Sequence, residues 1–422
     1  MCDEMMMAEL AVMDERFMRD PYPEFAMMRA GQPVRRMRTT RGLTVWVVTR
    51  YADARAALVD PRLTKGLFAA SLSAHMLNSD PPEHARLRRL VNKAFTARRV
   101  ESLRPRVVEI ADQLITSMAA EFSVDLLSSF AYPLPITVIC ELLGVPLADR
   151  EHFVKWSNAL TSATRARAEV TAATTAMTKY LTGLIQYKTI HPADDLLSEL
   201  ICARDEGSQL NRTELLSMVF LLLVGGYETT AHTISNGLLA LLRTPDQMAA
   251  LRADRSLLVD AVEEFLRYDC PVNMATLRQA QEPIRLGDVE ISTGEVVMVS
   301  IASANRDEGK FSAADNFDIT GSTNGHLAFG HGIHYCLGAS LARMEVEIAI
   351  GRLLDAFPSL ELDCDPAELQ WQESTLIRGL TRFPLRLFAD HHRTFRTPLT
   401  HGGGGDPDKS GPSTNLAEEV VF

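Results

Sequence analysis

Apolar residues recur at three- and four-residue spacing along most of the chain, the pattern of helices that bury one face. The clearest runs are Val107 to Ala119, Glu214 to Leu242 and Ala339 to Phe357. Asp80-Pro81-Pro82 is a helix-start signal, so His84 and Arg88 are expected one turn apart on the helix that follows. Strand signals are short and clustered. Thr44 to Thr49 is one; Ile284 to Leu286, Val289 to Ile291 and Val296 to Val299 are others, divided by turns at Gly287-Asp288 and Gly294. This predicts a mainly α protein, a large helical body with a small β region at its edge and no internal repeat. Residues 62–79 read as a long connection of the kind that often carries function. Residues 398–422, rich in Gly, Pro and Ser, are expected to be a disordered tail behind one domain spanning 1–397.

Composition narrows the classes. A 46% hydrophobic fraction over 422 residues can fill a large core. The net charge of −11 argues against nucleic acid as a partner. The six cysteines form no CxxC pair, which fits a reducing compartment. The first residues, MCDEMMMAELAVMDERF, carry acids where a signal peptide needs a basic and then an apolar run. The most apolar segment, Met218 to Val224, runs into Gly225, Gly226 and Glu228, too short and polar to span a bilayer. A soluble, cytoplasmic protein with no membrane partner is expected.

Several segments carry candidate chemistry. In Phe329-Gly330-His331-Gly332-Ile333-His334-Tyr335-Cys336-Leu337-Gly338, the cysteine stands in a Gly-bounded loop before a helix, where backbone N–H groups favour a thiolate. Read from residues alone, Cys336 is a buried core cysteine, a zinc ligand with His326, His331 and His334, or a single-cysteine haem ligand. The spacing matches no standard zinc pattern and no second cluster completes one. In the long helix, Gly225-Gly226-Tyr227-Glu228-Thr229-Thr230 violates helix preference: each glycine costs about 1 kcal/mol relative to alanine, and an acid in an apolar helix needs a partner. A tight helix crossing and a functional site explain this equally well. Glu264 and Arg267, and separately His84, Arg88 and Arg278, are by themselves ordinary ion-pairing residues.

Together these segments resemble the cytochrome P450 family. FGHGIHYCLG matches its haem-binding signature position for position, GGYETT resembles its oxygen-activation motif, and Glu264–Arg267 resembles its ExxR motif. The likeness runs from Arg19 to Phe388 and is nearest to soluble actinobacterial members that oxidise macrolides, other polyketides or steroid-like lipids, as in Leu134 to Pro146. It implies the single-domain P450 fold and haem b (iron protoporphyrin IX) as cofactor. Cys336 would be the iron's thiolate ligand, with Phe329 beside the sulfur and Gly338, Gly330 and Gly332 allowing close backbone approach. His84, Arg88, Arg278 and His334 would bind the haem propionates. Gly225 and Gly226 would leave room for dioxygen, and Glu228 and Thr229 would be catalytic, in proton delivery. His232 matches no role and is expected to be structural or solvent-facing. Many relatives complete the Glu–Arg network with a second Arg before the cysteine; Asp318 to Thr323 holds none.

The implied activity is insertion of one atom of dioxygen into a lipophilic small molecule: hydroxylation or epoxidation of a macrolide or polyketide, terpenoid or steroid-like substrate. Electrons would come from a ferredoxin and ferredoxin reductase. The intact Glu228–Thr229 pair disfavours a peroxide-driven peroxygenase and a non-enzymatic haem sensor. Substrate contacts are expected from residues 66–79 and 155–185, Asn273 to Leu277 and Leu376-Ile377. The basic run Arg86, Arg88, Arg89, Lys93, Arg98, Arg99, Arg104 and Arg106 is expected on the cysteine side; with Arg88 given to the haem, the rest would be open to an acidic ferredoxin.

Overall fold

The long periodic run folds into one helix, Arg212–Arg243. A capping box starts it: the Asn211 side chain accepts from the Glu214 N–H, and the Glu214 carboxylate accepts from the Asn211 N–H. Its 32 residues extend about 48 Å. By length and apolarity it could cross a membrane, yet most of its side chains are buried against Pro133–Leu143, Ala339–Ala356 and Leu258–Tyr268. Its apolarity is that of a core helix. Gly237 sets the last of these crossings, since a Cβ there would come within 2.6 Å of the Phe265 ring.

This computed structural model describes residues 10–66, 72–161, 166–204 and 207–388. By Cα proximity the chain divides into Met1–Ala389 and Asp390–Phe422. The expected tail, the first nine residues and residues 67–71 of the 62–79 connection lie outside the described residues. The other two periodic runs appear as helices Arg104–Met118 and Ala339–Ala356.

The β region is small, as the pattern required. One sheet has five strands in the order Val34–Arg38, Thr44–Val48, Val296–Val299, Arg278–Ala280 and Leu63–Thr64. Ile284–Leu286 and Val289–Ile291 pair as a hairpin. A third sheet joins Ser123–Asp125, Pro384–Phe388 and Ser359–Leu362. The 62–79 connection is therefore not wholly irregular. It opens with Leu63–Thr64, paired to Arg278–Ala280, and carries a 3-10 turn at Met76–Asn78. That pairing brings the start of the connection to the cavity described below.

Arg267 Nε and Nη2 meet the Glu264 carboxylate at 2.7 and 2.8 Å. The place of the missing second Arg is taken by main chain. Arg267 donates to the carbonyls of Asn305, Ala314 and Asn316 at 3.0, 2.7 and 2.9 Å, and the Asp318 N–H donates to Glu264 at 2.9 Å. A buried bidentate pair with its remaining donors satisfied is stable where a bare one is costly. It ties the helix Leu258–Tyr268 to the segment that leads into the cysteine loop.

Glu345, in the helix after that loop, is 1% exposed, and its Oε2 has no hydrogen-bond partner. Burial pushes its carboxyl well above the ordinary range. A carboxyl raised in the folded state contributes full stability below its unfolded pKa, about 4.3, and loses it as pH rises. Glu345→Gln is therefore expected to raise the thermal midpoint at pH 7.5 and to leave it unchanged near pH 4, followed by circular dichroism. A lower midpoint at both values would mean that the carboxylate has a stabilising partner.

Candidate active site

A cavity of about 490 Å³ lies between the central helix and the cysteine loop. Two left-handed glycines shape the loop, Gly330 at φ +75° and Gly332 at φ +73°. Gly332 is also packed so closely that a Cβ would come 2.7 Å from Val59 Cγ1. The Cys336 N–H donates to the Phe329 carbonyl at 2.9 Å, closing the loop immediately before helix Ala339–Ala356. Cys336 is exposed, but to the cavity, and protein surrounds the sulfur on its other sides. Burial pushes its thiol up, while the Gly338 N–H and the cations Arg88 and Arg343 pull it down. Arg343 lies over the Phe329 ring at 4.5 Å and pairs with Glu263 at 2.5 Å. His326 Nε2 is 3.0 Å from the same Glu263, so it does not face the cysteine. Among the described residues no group of three or more His, Cys, Asp or Glu is placed to hold a metal ion, so the zinc alternative finds no site.

On the opposite wall, the two glycines of the central helix do different things. Nothing lies within 4 Å of a Cβ built on Gly225, whereas one on Gly226 would meet Ile139 at 3.0 Å. Gly225 leaves open space; Gly226 permits a tight helix crossing. Thr229 lines the cavity and its hydroxyl donates to the Gly225 carbonyl at 3.1 Å. Glu228 also borders the cavity and is 2% exposed.

His232, one turn further on, is fully buried, which overturns its solvent-facing alternative. The Tyr132 hydroxyl is 3.1 Å from its Nε2 and the Gln372 amide 3.0 Å. Burial holds it down to about 4, so it is neutral. The absence of a side chain at Gly379 admits the ring, since a Cβ there would be 2.0 Å from Nδ1.

One end of the cavity is crowded with nitrogen donors. His84 and His334 stack edge to face at 4.5 Å between ring centroids. His84 Nε2, His334 Nδ1, His75 Nδ1 and Arg278 Nε are buried without a hydrogen-bond partner. Arg88 and Lys65 border the same space. Burial, with Lys65, His84, Arg278 and Arg88 nearby, pushes His334 down to about 2. Burial beside Arg278 holds Lys65 down to about 7, with Asp80 opposing. Burial takes Arg278 down to about 10. So many buried donors facing inward suit an anionic ligand with two carboxylates. With the sulfur on one wall and open space before Gly225 on the other, these residues fit haem. Lys65 and His75 belong to this end although no motif singled them out; both fall in the 62–79 connection read as one that often carries function, and His75 in the 66–79 segment expected to contact substrate.

Other expected contacts are revised. His75, Met76, Ala275, Thr276, Leu376 and Ile377 line the cavity, but no described residue of 155–185 does; Phe220, Leu221 and Val224 of the central helix serve instead. The basic run is partly open: Arg89, Lys93 and Arg98 are exposed, while others are paired. Arg86 pairs with Glu83 and Glu214, Arg99 with Glu199, Arg104 with Glu101 and Arg106 with Glu141. Lys93 Nζ donates to the Arg204 carbonyl at 2.9 Å. Interleaved acids from neighbouring helices neutralise much of a charge that the linear sequence shows uncompensated.

Known proteins share both the sequence and the fold. Residues 152–380 match the family described as Cytochrome P450. Cytochrome P450 107B1 of Saccharopolyspora erythraea is 48% identical over 397 residues, covering 90% of this chain and 98% of its own length. The cytochrome P450 monooxygenase PikC of Streptomyces venezuelae is 48% identical, over 90% of this chain and 94% of that protein. The solved structure of the tirandamycin C-bound P450 monooxygenase TamI, 48% identical, superposes over 89% of this chain and 100% of that one with a TM-score of 0.85. The mainly helical fold, the sulfur-walled cavity and these likenesses agree: the chain belongs to the cytochrome P450 family of haem b monooxygenases.

Proposed function

We propose that this protein hydroxylates or epoxidises a macrolide or other polyketide, with electrons from a ferredoxin and its reductase, in the cytoplasm. The observation that carries the reading is that Cys336 and the Glu228–Thr229 pair open from opposite walls onto one cavity whose end is lined with buried cations. Relatives named Mycinamicin IV hydroxylase/epoxidase and 6-deoxyerythronolide B hydroxylase, 41% and 40% identical, support the substrate class, as does the tirandamycin C bound by TamI.

Haem b bound here supplies the activation of dioxygen, which side chains cannot perform. Cys336 would be its thiolate ligand, with the Gly338 N–H steadying the charge on sulfur and Phe329 covering it. His84, Arg88, Arg278 and His334 would bind the carboxylates of the macrocycle. Gly225 keeps space open before Thr229. The Thr229 hydroxyl, its proton turned to the Gly225 carbonyl, would present oxygen lone pairs to the cavity and accept a hydrogen bond there. Glu228, buried on the same turn, would supply the proton. Phe220, Leu221, Leu376 and Ile377 make the remaining wall apolar, which excludes water and selects a lipophilic substrate by shape.

Reduced wild-type protein under carbon monoxide is expected to show the strongly red-shifted Soret band of thiolate ligation, and Cys336→Ser to lose it. A histidine-type band in folded wild type would sink the ligand assignment. Thr229→Ala is expected to consume reductant while product falls and peroxide rises; unchanged product per reductant would remove Thr229 from the proton path. Glu228→Gln is expected to lower turnover on the order of a hundredfold with haem content retained, measured by product formation against the haem spectrum.

A further inference from the structure

We propose that Lys65, with Thr276 and His75, forms a carboxylate-binding site at the edge of the cavity, additional to the four residues assigned above to the haem carboxylates. The proposal rests on the haem-thiolate reading of the cavity and specifies one ligand chemistry within it.

Lys65 is 5% exposed and its Nζ donates to Thr276 Oγ1 at 2.7 Å. A hydroxyl takes one of the three ammonium protons and offers no charge. Among the described residues no carboxylate pairs with this Nζ. Asp80, the acid that acts on it electrostatically, spends an oxygen on the Lys65 backbone N–H at 2.9 Å. His75 is 4% exposed, lines the same cavity, and leaves Nδ1 without a partner. An ammonium removed from water costs several kcal/mol unless an anion compensates it. The buried Lys65 ammonium, with the unpartnered nitrogen of a neutral His75 and Arg278 close by, points to an anionic ligand.

The position is held from both sides. Leu63 and Thr64 pair with Ala280 and Gln279, so the strand register delivers Lys65 to the cavity edge. Thr276 follows Ala275, whose N–H is fixed to the Val299 carbonyl at 2.8 Å. The His75 carbonyl accepts from the Ser79 hydroxyl at 2.9 Å and the Asn78 N–H at 3.1 Å, which anchors its turn. Such fixed donors favour a ligand that matches them without reorganising the protein. A carboxylate can reach the site from two sources: a haem side chain, or an acid group on a lipophilic molecule in the apolar cavity.

Lys65→Met and Thr276→Val separate them. Haem transfer to apomyoglobin is timed for each haem-loaded variant. Soret-shift titrations compare dodecanoic acid with dodecan-1-ol, which differ only at the head group. If the site takes a substrate acid, Lys65→Met weakens dodecanoic acid by about tenfold, the loss of one charge-assisted bond, and leaves dodecan-1-ol and haem transfer unchanged. If it takes a haem carboxylate, haem leaves about tenfold faster and both probes shift alike. Thr276→Val, which keeps the charge, is expected to show a smaller effect in the same direction. It carries the test alone should Lys65→Met fail to load haem. Variants that match wild type in haem transfer and in acid-to-alcohol preference overturn the proposal. The carbon monoxide spectrum of the wild type tests the haem-thiolate reading separately, so either failure is recognisable.

Discussion

The structure depends on one constraint: a sulfur must remain ionisable and open to a cavity while protein encloses it. Burial alone raises the Cys336 thiol. What opposes burial is local and geometric. The loop reverses through left-handed Gly330 and Gly332 and enters a helix whose first amides lie near the sulfur, and Arg88 and Arg343 stand nearby. None of this holds if the loop moves. Arg343 is clamped by Glu263, on the helix that also carries the Glu264–Arg267 pair, and that pair grips the chain at Asn305, Ala314, Asn316 and Asp318. The acid–arginine motif, remote from the cavity, is thus part of how the cysteine is positioned.

The central helix meets the complementary demand. It must be apolar enough to sit in the core and still present polar groups at its middle. Glu228, His232 and Asn236 follow at four-residue spacing and are all buried. The neighbouring elements answer where helix–helix packing could not: Tyr132 and Gln372 reach His232, and Asn236 donates to the carbonyls of Asp269 and Arg378. Buried polar groups with partners fix a single helix register. Gly226 and Gly379 provide room for this packing, and Gly225 keeps the cavity open.

What the sequence disclosed follows from the range of the interactions involved. The long helices and the short strands at Thr44–Val48, Ile284–Leu286, Val289–Ile291 and Val296–Val299 are visible because periodicity and turn residues are local. Val34–Arg38 was hidden because three of its five residues are arginines, which an edge strand tolerates. The cysteine and acid–threonine motifs are compact and so readable. The partners of Arg86, Arg99 and Arg106 are remote in sequence, Glu214, Glu199 and Glu141, so a run that reads as a bare positive patch folds into a partly neutralised one. The Asp318 N–H that donates to Glu264 in place of a second arginine leaves no side-chain signature at all.

Lys65 and His75 show the same limit at the cavity itself. Each lies in a segment with no motif, and only strand pairing and a short turn bring them beside Arg278, which a motif did identify. The result is a cavity divided by chemistry. One end concentrates buried cations, while Phe220, Leu221, Leu376 and Ile377 make the other side apolar. Charge attraction at one edge would draw the carboxylates of a dianionic cofactor to that end. The apolar side imposes no such direction. Regioselectivity there has to come from shape, or from whatever fixed polar group reaches into it.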